Sequence, residues 1–107
     1  MKPHCLPYYA VIFTSTRTAI EDGYKETALH MEKLAKQVEG YLGMETARDE
    51  INITVSYWES LDSISNWKNQ IDHLKAQQLG KKKWYQSYTI RITKVEREYS
   101  FEEKNLV

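Results

Sequence analysis

The sequence predicts an α+β domain with a four-stranded antiparallel sheet and two helices on one face of that sheet. Two observations predict this class. The first is four segments rich in aromatic and β-branched residues, which are typical of strands. The second is two intervening segments whose apolar residues recur every three or four positions, as in helices, which gives the order β-α-β-β-α-β. Two such halves combine into a ferredoxin-like sheet. At 107 residues, the chain has the size of one domain.

The first half of the chain predicts a strand, a helix and a second strand. Residues Tyr8–Thr16 are apolar on both faces, which is typical of a strand buried on both sides. Asp22 and Gly23 open the helix, and Gly40 suits the left-handed position beyond its end. The apolar stripe of this helix consists of Tyr24, Ala28, Met31, Ala35 and Val38. A weaker strand from Tyr41 to Arg48 then leads into a turn at residues 49 and 50.

The second half predicts a strand, a helix and a last strand. From Ile51 to Glu59 the residues alternate, with Ile51, Ile53, Val55 and Tyr57 on one face and Asn52, Thr54, Ser56 and Trp58 on the other. Ser60 is a natural N-cap for the second helix, whose stripe is Leu61, Ile64, Trp67, Ile71 and Leu74. The last strand runs from Trp84 to Arg97. One of its faces carries Trp84, Tyr88, Ile90 and Ile92, and the other carries Ser87, Thr89, Arg91 and Thr93.

The boundaries, charge and cysteine content limit the class of protein. We expect a flexible segment over residues 1–7, the folded domain over residues 8–99 and a loose tail over residues 100–107. With 15 basic and 15 acidic residues, the chain lacks the basic excess of a nucleic-acid binder. Its one cysteine, Cys5, permits no internal disulfide, and no segment is apolar enough for a signal peptide or a membrane span. These features predict a cytoplasmic protein.

The two-sided apolar first strand also predicts a partner. Two helices cover only one face of a four-stranded sheet. The apolar residues between Tyr8 and Phe13 that point away from the helices would therefore remain exposed to solvent. A monomer rarely exposes an apolar patch of several hundred Å². We therefore expect a homodimer whose subunits pack sheet against sheet.

One junction resembles a known family. The run from Val55 to Ser60, followed by a helix with Trp67 and His73, is similar to the strand-to-helix signature of the antibiotic biosynthesis monooxygenase superfamily. The stretch from Trp84 to Tyr99 resembles the closing strand of a bacterial branch. The resemblance implies a dimeric α+β barrel with a pocket between sheet and helices in each subunit. It does not fix an activity, because members include cofactor-independent oxygenases, quinol oxygenases and haem-degrading enzymes.

The resemblance to the haem-degrading branch is incomplete. That branch uses an asparagine on the first strand, a tryptophan on the second helix and a histidine ten residues later. Trp67 occupies the tryptophan position, but Gln77 stands where the histidine would be. The first asparagine of the chain is Asn52, so the first strand has none. We therefore expect no haem degradation of that kind, and haem binding without turnover stays an alternative.

Aromatic residues are the candidates for binding a substrate. Trp67 lies on the apolar stripe of the second helix, and Tyr57, Trp84 and Tyr88 lie on strands that could meet it. Such a pocket suits a flat aromatic molecule, although three tryptophans can also be ordinary core residues. Arg91 is a candidate for a buried polar space or the subunit seam, and its other reading is an edge charge that reaches water.

His73 is the candidate catalytic base. Its unperturbed pKa lies near neutrality, which suits proton removal from a phenol. In a straight helix it lies on the solvent side, about 160° from Ile71, and it faces the pocket only if the helix breaks between Asn69 and Asp72. The three histidines show no metal-ligand spacing.

The sequence therefore predicts a cofactor-independent monooxygenase acting on a small phenol or quinol, with neither flavin nor metal. The alternative is a non-enzymatic homodimer that binds a flat small molecule.

Overall fold

The structure is a computed structural model, and it describes residues 5–70 and 83–103. Within these residues, six elements follow one another in the order that the sequence predicts. The elements are β1 (Tyr8–Arg17), α1 (Tyr24–Lys36), β2 (Tyr41–Ala47), β3 (Asn52–Trp58), α2 (Leu61–Gln70) and β4 (Tyr85–Val95). The strands form one antiparallel sheet in the order β2-β3-β1-β4. The α+β class and the four-stranded antiparallel sheet are thus confirmed.

The core lies between the sheet and the two helices. Its buried members are Val11 of β1, Trp58 of β3, Ala35 of α1, Ile64 of α2 and Val38, just after α1. Because both helices contribute to the same cluster as Val11 and Trp58, they cover the same side of the sheet. We call this side the helix-side face and the other the open face.

The register assigns the remaining strand residues to these two faces. Val11 lies opposite Ser56 of β3 and Ile92 of β4, so these residues belong to the helix-side face. Ala10 lies opposite Tyr57 and Thr93, which therefore belong to the open face. The register shifts between Thr16 and Arg17, where β1 pairs with the start of β4. This bulge changes which residues at the start of β4 face the helices.

The predicted helix ends agree with the structure in most respects. Gly23, the N-cap of α1, has a φ of 78°, and Gly40 has a φ of 97° after the helix. Ser60 caps α2, since its Oγ accepts a hydrogen bond from the Ser63 N–H at 3.1 Å. The prediction that Leu61 belongs to the buried stripe of α2 is wrong: Leu61 is exposed, and Ser63 is buried in its place. No helix within the described ranges is long and apolar enough to cross a membrane.

The open face is partly covered by the chain itself. Tyr8 is buried there, its ring 5.9 Å from the ring of Tyr57, and its hydroxyl donates a hydrogen bond to the Glu98 carboxylate beyond β4. Ala10 is buried beside it, whereas Ile53 remains 40% exposed. On the open face, the residues at the start of β1 are therefore covered by contacts within the chain, whereas the apolar surface further along the sheet remains exposed.

Candidate functional site

An apolar surface on the helix-side face is the candidate site. Phe13 of β1 lies opposite Ile90 of β4, and the ring of Tyr88 stacks on Phe13 with centroids 5.4 Å apart. Ile92 continues the row beside buried Val11. Ile90 is 42% exposed and Ile92 54% exposed, although both face the same side as the core. We call Val11, Phe13, Tyr88, Ile90 and Ile92 the apolar floor.

Aromatic residues close one end of the apolar floor, beside Trp67. The Trp67 ring of α2 lies 5.1 Å from the Trp58 ring, tilted by 31°. The Trp58 indole is fully buried and donates its N–H to the Ser56 hydroxyl at 2.9 Å. Tyr41 of β2 packs edge-on against the same indole, with centroids 5.4 Å apart. This end is therefore a packed wall rather than an opening.

A second aromatic group lies at the other end. The Tyr85 ring contacts Phe13 at 5.4 Å and Tyr88 at 5.7 Å, each edge-on. Tyr24 of α1 contacts Tyr85 at 6.1 Å and Trp84 at 5.7 Å. Together these rings form a continuous aromatic path from the apolar floor to the start of α1.

Trp67 and Tyr88, two of the predicted binding residues, share the helix-side face. They do not lie side by side, however. Trp58, the neighbour of Trp67, lies opposite Tyr9, and Tyr88 lies opposite Ser15. Those positions are six residues apart on β1, which corresponds to about 20 Å of extended strand. Tyr88 therefore forms one end of the apolar floor, and Trp67 lies beyond the other end.

The expectation that Tyr57 faces Trp67 is wrong. Trp58 contacts Trp67, so the preceding residue of the strand points to the open face. There the Tyr57 hydroxyl donates to Glu45 Oε1 at 2.7 Å. Burial, that hydrogen bond and the charge of Glu45 raise the pKa of Tyr57 to about 12. Arg91 also lies on the open face, opposite Ile12, and it is exposed.

Trp84 has a different position from the one expected. It precedes β4, is buried, and donates its indole N–H to the backbone oxygen of Asp22 at 2.8 Å. The contact ties the segment before α1 to the start of β4. Trp84 thus lies at the far end of the site from Trp67, and the two do not form one wall. His73, like Gln77, lies outside the described residues.

A group of charged and polar residues beside Tyr24 was not predicted from the sequence. The Arg17 guanidinium lies over the Tyr24 ring, with its Cζ 3.4 Å from the ring centroid, and Arg48 approaches the same ring at 5.2 Å. Burial and the neighbouring Tyr24 hydroxyl raise the pKa of Tyr85, whereas the two arginines oppose that shift. The available signal was the position of both arginines at the ends of strands, Arg17 at the end of β1 and Arg48 just after β2, but only the sheet order brings those two ends to the same edge.

The chemical character of the site is that of an apolar surface with a few polar groups at its rim. Such surfaces bind flat aromatic molecules. Over residues 5–70 and 83–103, no group of three His, Cys, Asp or Glu side chains is arranged to hold a metal ion. A separate open groove of about 460 Å³ runs between the end of α1 and α2, and it is lined by Gln37, Val38, Glu39, Asn66 and Asn69. Its polar lining distinguishes it from the apolar floor.

Comparisons with known proteins identify relatives of this chain. No family model matches the sequence. The uncharacterized protein YqjZ of Bacillus subtilis is 46% identical over 99 residues, which cover 91% of this chain and 87% of YqjZ.

Solved structures with much lower identity share the fold. SnoaB, a cofactor-independent oxygenase from Streptomyces nogalater, superposes with a TM-score of 0.68 at 9% identity, covering 91% of this chain and 99% of SnoaB. A candidate antibiotic biosynthesis monooxygenase of Nitrosomonas europaea gives a TM-score of 0.66 at 9% identity, covering 87% of this chain and 93% of that protein. The resemblance seen at the Tyr57–Ser60 junction is thus confirmed by the fold. The chain belongs to the family of YqjZ and has the fold of the antibiotic biosynthesis monooxygenases.

Proposed function

We propose that this chain is a cofactor-independent monooxygenase that oxidises a small phenol or quinol bound on the apolar floor. The observation that carries the proposal is the exposure of Ile90 and Ile92 on the face that otherwise forms the core. An apolar surface there is costly unless a ligand covers it. The likeness to SnoaB contributes the fold, and that protein's description as a cofactor-independent oxygenase supports the choice of reaction.

The reaction needs no electrons from the protein. A base removes the phenol proton, and the electron-rich carbon opposite the oxygen then bonds to O₂. The resulting hydroperoxide loses water and leaves a quinone. For 1-naphthol, one molecule of O₂ gives 1,4-naphthoquinone and one water, so one oxygen atom enters the product and the other leaves in water. The protein holds the ring in one orientation and keeps bulk water away.

Within this proposal, the ring lies against Phe13 and Tyr88, and Trp67 bounds one end. His73 remains the proposed base, on the chemical ground that its ordinary pKa is close to neutral. Tyr57 and Arg91 are no longer proposed as binding residues, because they belong to the open face.

Oxygen uptake with 1-naphthol tests the proposal. The assay follows O₂ consumption in the presence of catalase and detects 1,4-naphthoquinone by mass spectrometry, with isotopic O₂ to trace the inserted atom. Ile92→Trp fills the apolar floor and should lower kcat/KM by about tenfold or more, which corresponds to about 1.4 kcal/mol of transition-state binding.

A matched control separates blocking from a general effect of a new tryptophan. Leu29 on α1 is 57% exposed, close to the 54% of Ile92, so Leu29→Trp makes the same change away from the site. It should leave kcat/KM unchanged. Uptake no faster than in buffer would contradict the enzyme. Tight binding of 1-naphthol without turnover would instead favour the non-enzymatic binding protein.

We also propose that the chain forms a homodimer through its open face. Ile12, Ile53 and Val55 form a row there that helices do not cover, and Ile53 is 40% exposed. Ile53→Glu would place a charge in that interface and should give a monomer in light scattering coupled to size-exclusion chromatography. Leu29→Glu is the control and should remain a dimer. A wild-type chain that stays monomeric at micromolar concentration refutes the proposal.

A further inference from the structure

Four side chains at the Tyr85 end of the apolar floor form a cluster of two arginines and two tyrosines. Arg17 ends β1, Arg48 follows β2, Tyr24 begins α1 and Tyr85 begins β4. The two guanidinium carbons lie 3.4 Å and 5.2 Å from the centroid of the same Tyr24 ring. Both charges therefore lie within one Debye length of each other, about 10 Å at 0.1 M salt. We call these four residues the arginine–tyrosine cluster.

The positive charge of the cluster is poorly compensated. Arg17 is nearly buried, with 13% of its side chain exposed, and its Nε and Nη2 donate to the backbone oxygens of Trp84 and Ile20 at 3.2 and 3.1 Å. Its carboxylate partner, Glu21, is 3.6 Å away and 78% exposed, so the pair is largely screened by water. Among the described residues, no carboxylate forms an ion pair with Arg48. Two cations held around one ring create a local positive potential that favours an anion beside them.

The tyrosine hydroxyls add neutral donors to the same place. The hydroxyls of Tyr85 and Tyr24 share a hydrogen bond, in which either can be the donor. A hydroxyl that accepts one hydrogen bond still has its own proton to donate. One hydroxyl proton of the pair is therefore available to an acceptor beside the arginines. Guanidinium groups combined with a phenolic hydroxyl suit a carboxylate.

The cluster is continuous with the apolar floor. The Tyr85 ring contacts both Phe13 and Tyr88, which form the floor, and it contacts Tyr24 on its other side. A flat ring bound on the floor would therefore direct a substituent at its edge toward the arginines.

We propose that the arginine–tyrosine cluster binds a carboxylate carried by the aromatic substrate, so that the substrate is a phenol that bears a carboxylate group. This inference rests on the proposed function for the position of the ring, and it adds the substrate class. Arg48 supplies the adaptable contact, since it is exposed, while Arg17 is fixed by its bonds to backbone oxygens.

Two probes that differ only in a carboxylate test the proposal. Calorimetric titration of the full chain compares 1-hydroxy-2-naphthoate with 1-naphthol. The carboxylated probe should bind about tenfold more tightly or better, which is the effect of one charge-assisted contact. Arg48→Gln should remove that preference and leave the affinity for 1-naphthol unchanged. Arg91→Gln, which removes an exposed arginine from the open face, should change neither affinity.

The outcomes separate this inference from the proposed function. Equal affinity for the two probes, or a preference that survives Arg48→Gln, would overturn the carboxylate site and leave the apolar floor as a binding site. Binding of neither probe would overturn both. Inorganic phosphate serves as a third titrant: if it removes the preference for 1-hydroxy-2-naphthoate at equal concentration, the site binds small anions without regard to the ring, and the substrate class is wrong.

Discussion

Replacing Gly40 with alanine tests how closely α2 approaches the loop after α1. Gly40 has a φ of 97°, a conformation that residues with a Cβ rarely adopt. A Cβ built at Gly40 would lie 2.0 Å from Ser63 Oγ and 2.8 Å from Ser63 Cβ. Ser63 cannot easily move aside, because it is buried and its hydroxyl shares a 3.0 Å hydrogen bond with the Ser60 hydroxyl.

The expected cost has two parts. The left-handed backbone costs about 1–2 kcal/mol for a residue with a Cβ. The overlap with Ser63 adds about 1–3 kcal/mol, as for other overpacked sites. Gly40→Ala should therefore lower the free energy of unfolding by about 2–5 kcal/mol. Gly23→Ala is the control, since Gly23 has a φ of 78° but its Cβ would lie 3.5 Å from Trp84, an ordinary contact. Only the backbone part, about 1–2 kcal/mol, should remain there.

Denaturant unfolding followed by tryptophan fluorescence measures both variants. A double-mutant cycle isolates the overlap: Ser63→Gly removes both contacting atoms, so it should recover about 1–3 kcal/mol more in the Gly40→Ala background than in the wild type. If Gly40→Ala costs no more than Gly23→Ala, and the cycle shows no coupling, the close approach of α2 to this loop is refuted, and with it the placement of Trp67.

Three further predictions concern α2 and the open face. Trp67→Ala should lower the free energy of unfolding by about 3 kcal/mol, which is the lower end for aromatic truncations because Trp67 is only partly buried. A negligible loss in denaturant unfolding would show that the buried face of α2 is misassigned. Ser60→Ala should cost about 1 kcal/mol by removing the cap of α2, whereas Ser65→Ala on the exposed side of the same helix should cost far less. Ultraviolet titration should find the pKa of Tyr57 near 12, so that its contribution to stability is complete below pH 10 and is lost as the pH rises toward 12. Glu45→Gln should lower that pKa, and an unchanged titration would refute the contact.

The order and class of the elements could be predicted because they depend on local periodicity. The apolar stripe of α1, the alternation in β3 and the cap at Ser60 are properties of short segments, and each reappears in the structure. The predicted ends differ by only a few residues. Val38, for example, belongs to the predicted stripe and is buried in the core, although α1 ends at Lys36.

The choice of face in β3 could not be predicted in the same way. Alternation shows that Tyr57 and Trp58 point in opposite directions, but both are large aromatic residues that suit either side. One local signal was available. A buried indole needs an acceptor for its N–H, and Ser56 lies two residues before Trp58 on the same face, where its hydroxyl accepts that hydrogen bond at 2.9 Å. Tyr57 has its acceptor, Glu45, on the neighbouring strand, which only the sheet register reveals.

The position of the site depends on a second long-range feature, the bulge near the start of β4, where Gln86 has no partner on β1. Strict alternation places Tyr85 and Tyr88 on opposite faces, because they are three residues apart. The register shift between Thr16 and Arg17 changes this, and both rings contact Phe13 on the helix-side face. Arg17 follows the alternation of β1 onto this same face, where it lies beside Tyr24. A bulge of one residue thus turns the Tyr85 ring toward the helices, where it lies between the apolar floor and the cationic group. An apolar surface and a cationic group are the two features that an anionic aromatic substrate requires.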